Sequence, residues 1–474
     1  MSYLKSFPLL LSALCLNLGY INPIMAQSVD SSASLDRFNP NPNPLQFPTK
    51  PKEVEIEQTQ SISLEEAIEI ALKNNKDLQA ARIELQKAED GLRASQGAEL
   101  PTVDGQLEFN QGGQDTSPQG GDVFRHQTRF LGGLEVGYDL YSGGRRSASI
   151  ERSRREIYFN KLDVERISEE TRFNVTNSYY ELQNRDAQVA IAQAAIEDFS
   201  QTLRDAQLLE QAGLGTRFDV LQAEVDLANA NQALTVAISN QRNARRTLAE
   251  VLSIGQNVEL TAADEITEKG VWQYTLEDSI VMAFKNRAEL QQLLVRREIN
   301  AQNREIALSE TRPQVGLFAG YNFTGTAADT LNNTGFANGY NVGARLRWRF
   351  YDGGTARARG DQETRNIEID ETNFADQRNK IRLQVETAYN TMIANKENIG
   401  STEKAVTTAT ESLRLARLRF QAGVGTQTDV INAQRSLTEA RGNFLQAIIG
   451  YNQSLNELQR AVSNLPDGNL FQVR

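Results

Sequence analysis

The 474-residue sequence is nearly devoid of cysteine and histidine, since it contains one of each, Cys15 and His126. A metal centre needs several such ligands, and a serine or cysteine catalytic triad needs a histidine held beside the nucleophile. HExxH, GxSxG and P-loop motifs and cysteine pairs are absent too. Acidic residues are abundant, but no two of them stand out as an acid–base pair. We therefore predict that the protein is not an enzyme, holds no metal or cofactor, and carries His126 in a loop.

Positive charge is in deficit, because 50 lysines and arginines face 61 acidic residues for a net charge of −11. Residues 1–26 contain one charge, Lys5, then an apolar run that ends at a plausible cleavage point, Ala26. This arrangement is typical of a secretory signal peptide, whereas an anchored N-terminus would need a longer apolar segment. Cys15 follows Leu14 instead of the small residue typical of a lipoprotein. We expect an exported chain of net charge −12, after loss of Lys5, that has no thiol or lipid anchor and binds no nucleic acid.

Proline is rare outside residues 27–60, which hold five of the eleven prolines. The alternating Asn-Pro run in this segment is incompatible with a helix or the interior of a sheet, so it predicts an extended linker. Contact of the segment with the cell wall or with another protein is the alternative. Residues 143–212, by contrast, contain no proline. As continuous helix they would extend about 105 Å, which is longer than a single globular core.

The chain beyond residue 60 is a duplication. An internal repeat indicates that the fold is built from two similar units. Leu64–Gln79 resembles Leu276–Gln291 at an offset of 212 residues. Two further pairs mark the duplication, Pro101 with Pro313 at the offset of 212 and Tyr141 with Tyr351 at an offset of 210.

The duplication divides the sequence into five parts. They are a signal peptide (1–26), a proline-rich linker (27–60), a first repeat (61–262), a second repeat (263–463) and a C-terminal tail (464–474). Each repeat is predicted to contain, in order, a helix that ends before the paired proline, two strands, a very long helix and a second long helix.

The strands are predicted from residues that alternate between apolar and polar over about ten positions, the length of a transmembrane β-strand. Such runs begin at Val103, Leu134, Val315 and Val342. Phe318 departs from the alternation, and aromatic residues gather near the strand ends, as in the girdles of membrane barrels. This pattern and the export signal favour membrane strands, although a soluble sandwich would use the same alternation. Residues 111–125 and 324–339 are predicted to be solvent loops.

Four strands cannot close a barrel, and an open sheet edge cannot lie in lipid. Strands must therefore come from other copies of the chain. Three copies would supply a 12-stranded barrel, although the strand count alone also permits a dimer or a tetramer.

The long helices carry apolar residues every seven positions, which predicts left-handed supercoiling against neighbouring helices. These positions are Val175, Leu182, Val189, Ile196 and Leu203 in the first repeat and Val385, Met392, Ile399, Val406 and Leu413 in the second. The remaining surface is rich in small and polar residues, so it suits the wall of a water-filled tube. An ordinary antiparallel coiled coil is the alternative.

Two glycine-containing segments, "GLGT" and "GVGT", interrupt the helical pattern at the same place in each repeat. Gln211–Leu227 and Gln421–Leu437, which contain them, are identical at nine of seventeen positions. Glycine supplies the left-handed residue that ends a helix, so each segment predicts the turn of a helical hairpin. Asp219 and Asp429 then lie in the first turn of the following helix, where a carboxylate is favoured by the free N–H groups.

The quoted motifs carry a resemblance to a known family. The paired prolines, "LYSGG" and "FYDGG" before the long helices, and "GLGTRFDVLQA" and "GVGTQTDVINA" at the hairpins resemble the TolC-type outer-membrane efflux family, or outer membrane factors. The resemblance covers Leu64 to Val462. It implies an α+β membrane protein built from a duplicated long-helix and β-hairpin unit. It further implies a trimer whose 12-stranded β-barrel in the outer membrane continues into a periplasmic α-helical barrel.

The resemblance also implies a function and partners. The protein would be the passive duct of a tripartite efflux or type I secretion system. It would contact outer-membrane lipid, a periplasmic adaptor (membrane fusion protein) and an inner-membrane transporter. A periplasmic adaptor-like coiled-coil protein and a trimeric surface adhesin are the alternatives. The first has no need of duplicated β-hairpins of membrane length, and the second has no need of duplicated helical hairpins.

The hairpin turns are the candidate sites that this resemblance implies. The expected adaptor-docking residues are Gly213, Leu214, Gly215 and Thr216 in the first repeat and Gly423, Val424, Gly425 and Thr426 in the second. Asp219 and Asp429 would lie at a constricted periplasmic entrance, although capping of their own helices would explain both residues. Arg217 is the candidate latch, with Arg417 and Arg419 as alternatives. Some relatives carry a basic residue after the second "GT", where this chain has Gln427.

Overall fold

The computed structural model describes residues 45–463, apart from 46, 57, 116–123, 256 and 329–334. The predicted signal peptide, most of the proline-rich linker and the C-terminal tail lie outside these residues.

Both halves have the same order of elements, and each begins with a short strand. The first half contains β1 (Gln58–Ile62), α1 (Leu64–Asn74), α2 (Lys76–Gly97), β2 (Thr102–Asp115), β3 (Phe124–Tyr141), α3 (Arg145–Gln211) and α4 (Arg217–Val251). The second contains β4 (Val258–Ala262), α5 (Leu276–Asn286), α6 (Ala288–Leu308), β5 (Gln314–Ala328), β6 (Gly335–Arg347), α7 (Thr355–Gln421) and α8 (Gln427–Val462).

The single helix predicted before each proline is wrong, because both repeats have a break after eleven residues. Asn75 leaves the helical conformation at ψ 129°, and its side chain accepts a hydrogen bond from the N–H of Leu78, so it starts a new helix. Arg287 takes the same position in the second repeat. Its buried guanidinium donates to the Glu289 carboxylate and to the Ala461 carbonyl. The contact with distant Ala461 thus stabilises the interruption between α5 and α6.

The strands β2, β3, β5 and β6 form one antiparallel sheet in that order. They have 14, 18, 15 and 13 residues, so they are longer than the ten predicted. Pairing continues past the alternating segments because it requires only backbone groups. The predicted loops at 111–125 and 324–339 are therefore wrong at their ends. The loop placement of His126 is wrong too, since it pairs with Gly113 between β3 and β2.

The two faces of the sheet differ as the alternation predicts. Val103 is 68% exposed in the single chain and Val342 is 76% exposed, both on the apolar face. The polar face bears Phe318, whose four nearest positions on that face are glycine, namely Gly316, Gly320, Gly137 and Gly343. A Cβ atom at Gly343 would approach the ring of Phe318 to 2.8 Å, so the ring lies over this glycine. Phe318 can therefore depart from the alternation because the surrounding glycines leave space for its ring on the polar face.

The helices α3 and α7 have 67 residues each and extend about 100 Å. Near the sheet, α6 packs between them, and toward the hairpin turns α8 takes that place. The helices α2 and α4 pack on the other side of α3. The described long helices thus lie four across, with α7 at one edge and α2 or α4 at the other, and the short helices α1 and α5 pack on α3 and α7 near their middle. None of the described helices combines the length and the apolar composition needed to cross a membrane.

Six of the ten residues of the seven-residue repeat are buried and the other four are partly buried, while the left-handed supercoiling stays a prediction. In α7, Val385, Met392 and Leu413 are buried. In α3 the buried stripe moves from Val175 and Leu182 to neighbouring positions near the turn, where Ile196 and Leu203 are half-buried. A straight helix of 3.6 residues per turn drifts away from a strict period of 3.5, which accounts for this shift.

A short parallel pairing of β1 with β4, missed in the sequence, closes a core around the middle of α3. The hydroxyl oxygen of buried Tyr179 lies 3.0 Å from both the Ile62 carbonyl oxygen and the Asp264 carboxylate, and it accepts a hydrogen bond from the N–H of Asp264. Asp264 also accepts a hydrogen bond from the N–H of Leu64 at the start of α1. One residue pair therefore connects β1, α1, α3 and the segment after β4.

We expect Tyr179→Phe to lower the free energy of unfolding by about 1–2 kcal/mol, because the N–H of Asp264 loses its acceptor, and the Ile62 carbonyl and the Asp264 carboxylate each lose one donor. Tyr180→Phe is the matched control, since Tyr180 is also buried, at 5% exposure against 0% for Tyr179, and among the described residues its hydroxyl has no hydrogen-bond partner. Thermal unfolding in detergent measures the difference. Equal losses in the two variants would contradict the role of the Tyr179 hydroxyl.

Candidate functional site

Each helical hairpin turns through the same backbone arrangement. In the first, the N–H of Gly213 donates to the Glu210 carbonyl at 3.0 Å, and the N–H of Leu214 donates to the Leu209 carbonyl at 2.9 Å. In the second, the N–H of Gly423 donates to Phe420 and that of Val424 to Arg419, both at 3.0 Å. These paired bonds are those of a Schellman motif, which satisfies the last carbonyls of the incoming helix.

The two glycines of each turn are required for different reasons. Gly213 and Gly423 have φ of 71° and 74°, in the left-handed region where a side chain is strained. Gly215 and Gly425 lie against the end of the incoming helix instead. A Cβ at Gly215 would lie 3.1 Å from the Glu210 nitrogen and from the Leu209 Cβ. A side chain at Gly215 or Gly425 would therefore push the turn away from its own helix.

Each outgoing helix begins with a capping box. The side chain of Thr216 accepts a hydrogen bond from the N–H of Asp219, and the Asp219 carboxylate accepts one from the N–H of Thr216 at 3.0 Å. Thr426 and Asp429 repeat the arrangement. Hydrogen bonds from the backbone and side chain of Thr426 lower the pKa of the Asp429 carboxyl. Both aspartates thus cap their own helices, as one reading of the sequence predicts.

Apolar side chains at both turns are exposed in the single chain. Leu214 and Val424 are 80% and 70% exposed, and Phe218 in the first turn of α4 is 72% exposed. Leu221 and Val225 continue the row from Phe218 along α4 and are exposed as well. Phe218, Leu221 and Val225 were not predicted as site residues, although their spacing of three and four positions marks one face of a helix.

The two hairpin turns of one chain lie against each other. Gln427 is buried, and its amide donates to the backbone carbonyl of Asp219 at 2.8 Å. Gln427, which follows the second "GT", therefore forms an internal contact between the hairpins. Asp219 and Asp429 belong to the two turns that this contact joins.

The three candidate latch arginines have different surroundings. Arg217 is exposed, and its guanidinium lies 3.8 Å from the Glu210 carboxylate of its own hairpin. Arg419 is exposed and helps to lower the pKa of Asp429. Arg417 alone joins the hairpins, because it donates to the Asp198 carboxylate on α3 at 2.8 Å.

Further cross-hairpin contacts come from α8 and were not predicted. Arg435 donates to the Asp226 carboxylate on α4 at 2.7 Å, and the Asp226 side chain is only 4% exposed. Gln434 is buried and donates to the Asp198 carbonyl at 2.8 Å and to the Thr202 hydroxyl at 2.7 Å. Polar side chains inside a helical hairpin give no periodic signal, so the sequence alone did not single them out.

The sequence profile of the family described as outer membrane efflux protein matches residues 67–253 and 279–464, one segment in each repeat. The chain is 23% identical to Outer membrane protein TolC of Vibrio cholerae serotype O1 over 421 residues, which cover 87% of this chain and 93% of that protein. It is 22% identical to Cation efflux system protein CusC of Escherichia coli K12 over 402 residues, which cover 82% and 83%.

Among solved structures, the fold is similar to that of the Campylobacter jejuni CmeC outer membrane channel. The TM-score is 0.73 at 16% sequence identity, and the match covers 90% of this chain and 93% of the other. The long helices and the four-stranded sheet are therefore the architecture of outer-membrane channels, which are trimers with a barrel closed by strands of all three copies.

We expect Asp429→Ala to accelerate hydrogen exchange of the backbone amides in the first turn of α8, because the capping box is lost. The pKa of Asp429 is lowered from its ordinary value of 3.8. The stabilising effect of the carboxylate is therefore full above pH 3.8 and is lost as the pH falls through the lower folded pKa.

Glu439→Ala is the control for this variant, since Glu439 is an exposed acid on the same helix. It should leave the exchange of the first turn unchanged. Exchange in Asp429→Ala that matches wild type at neutral pH would show that the cap does not hold the turn.

Proposed function

Because the chain belongs to the outer membrane efflux protein family, we propose that it is the passive export duct of a tripartite efflux or type I secretion system and that its hairpin turns form the docking surface and the entrance. The family match to both repeats supports the channel over the adaptor-like and adhesin alternatives. One observation carries the proposal for the turns. Both turns expose apolar side chains on a backbone held by hydrogen bonds, and both lie at the end of the long helices that is distant from the sheet.

Docking of a periplasmic adaptor is supported by the chemistry of the turns. Leu214, Val424 and Phe218 offer apolar area, and the Schellman motifs and capping boxes hold their backbone in place. Little conformational entropy is then lost when a partner covers them, which favours affinity. The adaptor would in turn connect the duct to an inner-membrane transporter.

A gated entrance is supported by the positions of Asp219 and Asp429 at the turns and by the contacts that join the two hairpins. Two carboxylates from each of three protomers would face one another near the axis, and crowded like charges favour the passage of cations. Arg417 and Arg435 hold α7 and α8 against α3 and α4 within one protomer. We propose that these contacts, together with Gln427, keep the entrance narrow. Arg217 is a weaker candidate for this role, since it contacts Glu210 of its own hairpin.

We expect Gly215→Leu and Gly425→Leu to leave the trimer assembled and to weaken adaptor binding by about tenfold, which is about 1.4 kcal/mol. The side chain would displace the turn from the end of its helix. Crosslinked pull-down of the adaptor and an export assay measure the effect. Normal export by normally assembled variants would refute the docking role.

The apolar contact itself has a separate test. Leu214→Asp with Val424→Asp should lose adaptor binding, whereas Leu214→Met with Val424→Leu should keep it, because size and polarity are nearly conserved.

For the entrance, we expect Asp219→Ala with Asp429→Ala to lower cation selectivity and to change single-channel conductance in planar bilayers. Thr216→Ala with Thr426→Ala is the matched control, since it removes the capping hydroxyls and keeps all carboxylates. If the aspartates act only as caps, the threonine variant will change conductance as much as the aspartate variant does.

A further inference from the structure

The edge strands of the sheet carry opposite charges. In the part of a single chain that the structure describes, β2 and β6 each have one edge without a strand partner. β2 bears Asp104 and Glu108, whereas β6 and the residues after it bear Arg345, Arg347 and Arg349. The three arginines are exposed in the single chain.

These charges lie on the same face of the sheet. Asp104 pairs with Glu135, Glu135 with Gly320 and Gly320 with Asn341, so the four residues form one row across the sheet. Directly opposite residues point to the same face, and residues two positions apart along a strand share it. Arg345 lies four positions after Asn341 and therefore shares the polar face with Asp104.

The offsets between the repeats preserve strand register. Adding 212 to the residue in β2 and 210 to the residue in β3 converts the pair Asp104–Glu135 into Gly316–Arg345. Gly316 and Arg345 are indeed opposite each other in β5 and β6. The second hairpin therefore repeats the register of the first without a slip.

The same offsets predict the register between two copies. Within one chain, β3 and β5 join the repeats, with Glu135 opposite Gly320 and Asp139 opposite Gly316. The equivalent junction between copies joins β6 to β2. Adding 210 to the residue in β3 and subtracting 212 from the residue in β5 places Arg345 opposite Glu108 and Arg349 opposite Asp104.

We propose that the seam between protomers is a ladder of ion pairs on the polar face of the barrel, in which Arg345 pairs with Glu108 of the partner subunit and Arg349 with Asp104 of the partner subunit. Arg347 lies between these pairs, opposite Gln106 of the partner subunit. This inference rests on the trimeric assembly and not on the roles of the hairpin turns, so its failure would leave those roles untouched.

The signs of the charges and the match of the polar faces both favour pairing of β6 with β2 in this register. A slip of one residue would place Arg345 opposite an apolar residue, Leu107 or Phe109, so the polar face of one chain would meet the apolar face of the next. Pairing of β6 with another β6 would set arginines against arginines, and pairing of two β2 strands would oppose carboxylates. The only attractive contact is therefore β6 with β2, which is a head-to-tail contact that closes into a ring.

Disulfide crosslinking tests the register. Arg345→Cys is combined with Glu108→Cys, Gln106→Cys or Asp104→Cys in a Cys15→Ser background. Two residues along a strand move a Cα atom by about 7 Å, which exceeds the span of a disulfide. We expect covalent dimers and trimers to form at least about tenfold faster with Glu108→Cys than with Asp104→Cys. A fastest crosslink at either other position, or none at Glu108→Cys, would overturn the register.

Charge exchange tests the ion pair. Arg345→Glu and Glu108→Arg should each lower the temperature at which the detergent-purified trimer dissociates, and the two together should restore it. Restoration would support the pair even if the single variants assemble poorly. A combined variant no more stable than the weaker single variant would refute it.

Discussion

An unpaired strand edge cannot lie in lipid, because its N–H and C=O groups find no water there, and each chain contributes a sheet with two such edges. Assembly follows from this constraint, since only strands of other copies can cover β2 and β6. The helices obey the same geometry. α7 continues from the edge strand β6, and α2 precedes the edge strand β2, so the seam of the sheet continues as a seam between helices.

Because the chain is duplicated, the same β-hairpin geometry forms the junction between the repeats of one chain and the junction between neighbouring chains. Two copies of a strand–strand–helix–helix unit lie side by side, so the junction of β3 with β5 resembles the junction of β6 with β2. The residues at the two junctions differ, however. Gly316 and Gly320 occupy β5 where β2 has Asp104 and Glu108, so the carboxylates of β3 face glycine within the chain, whereas opposite charges would meet at the contact between separate molecules.

At the hairpin turns, local interactions close each turn, and long-range interactions join the two hairpins. The Schellman motifs and capping boxes close each turn from within its own few residues. The contacts of Gln427, Arg417 and Arg435 act between hairpins, and each pairs a partly or fully buried group with a group from a distant part of the chain. None of these three contacts belongs to a Schellman motif or a capping box, so the entrance proposed above would open by breaking them while each turn keeps its own hydrogen bonds.

The sequence by itself determined the features that arise from local or repeating patterns. Alternation defined the faces of the four strands, Gly213 and Gly423 marked turns that need a left-handed residue, and the offsets carried strand register. Tertiary structure alone decided the pairing of β1 with β4, the break at Arg287 and the partners of Asp226 and Asp198. The physical reason is that these depend on which distant groups meet when the helices pack, and a single buried polar residue leaves no period in the chain.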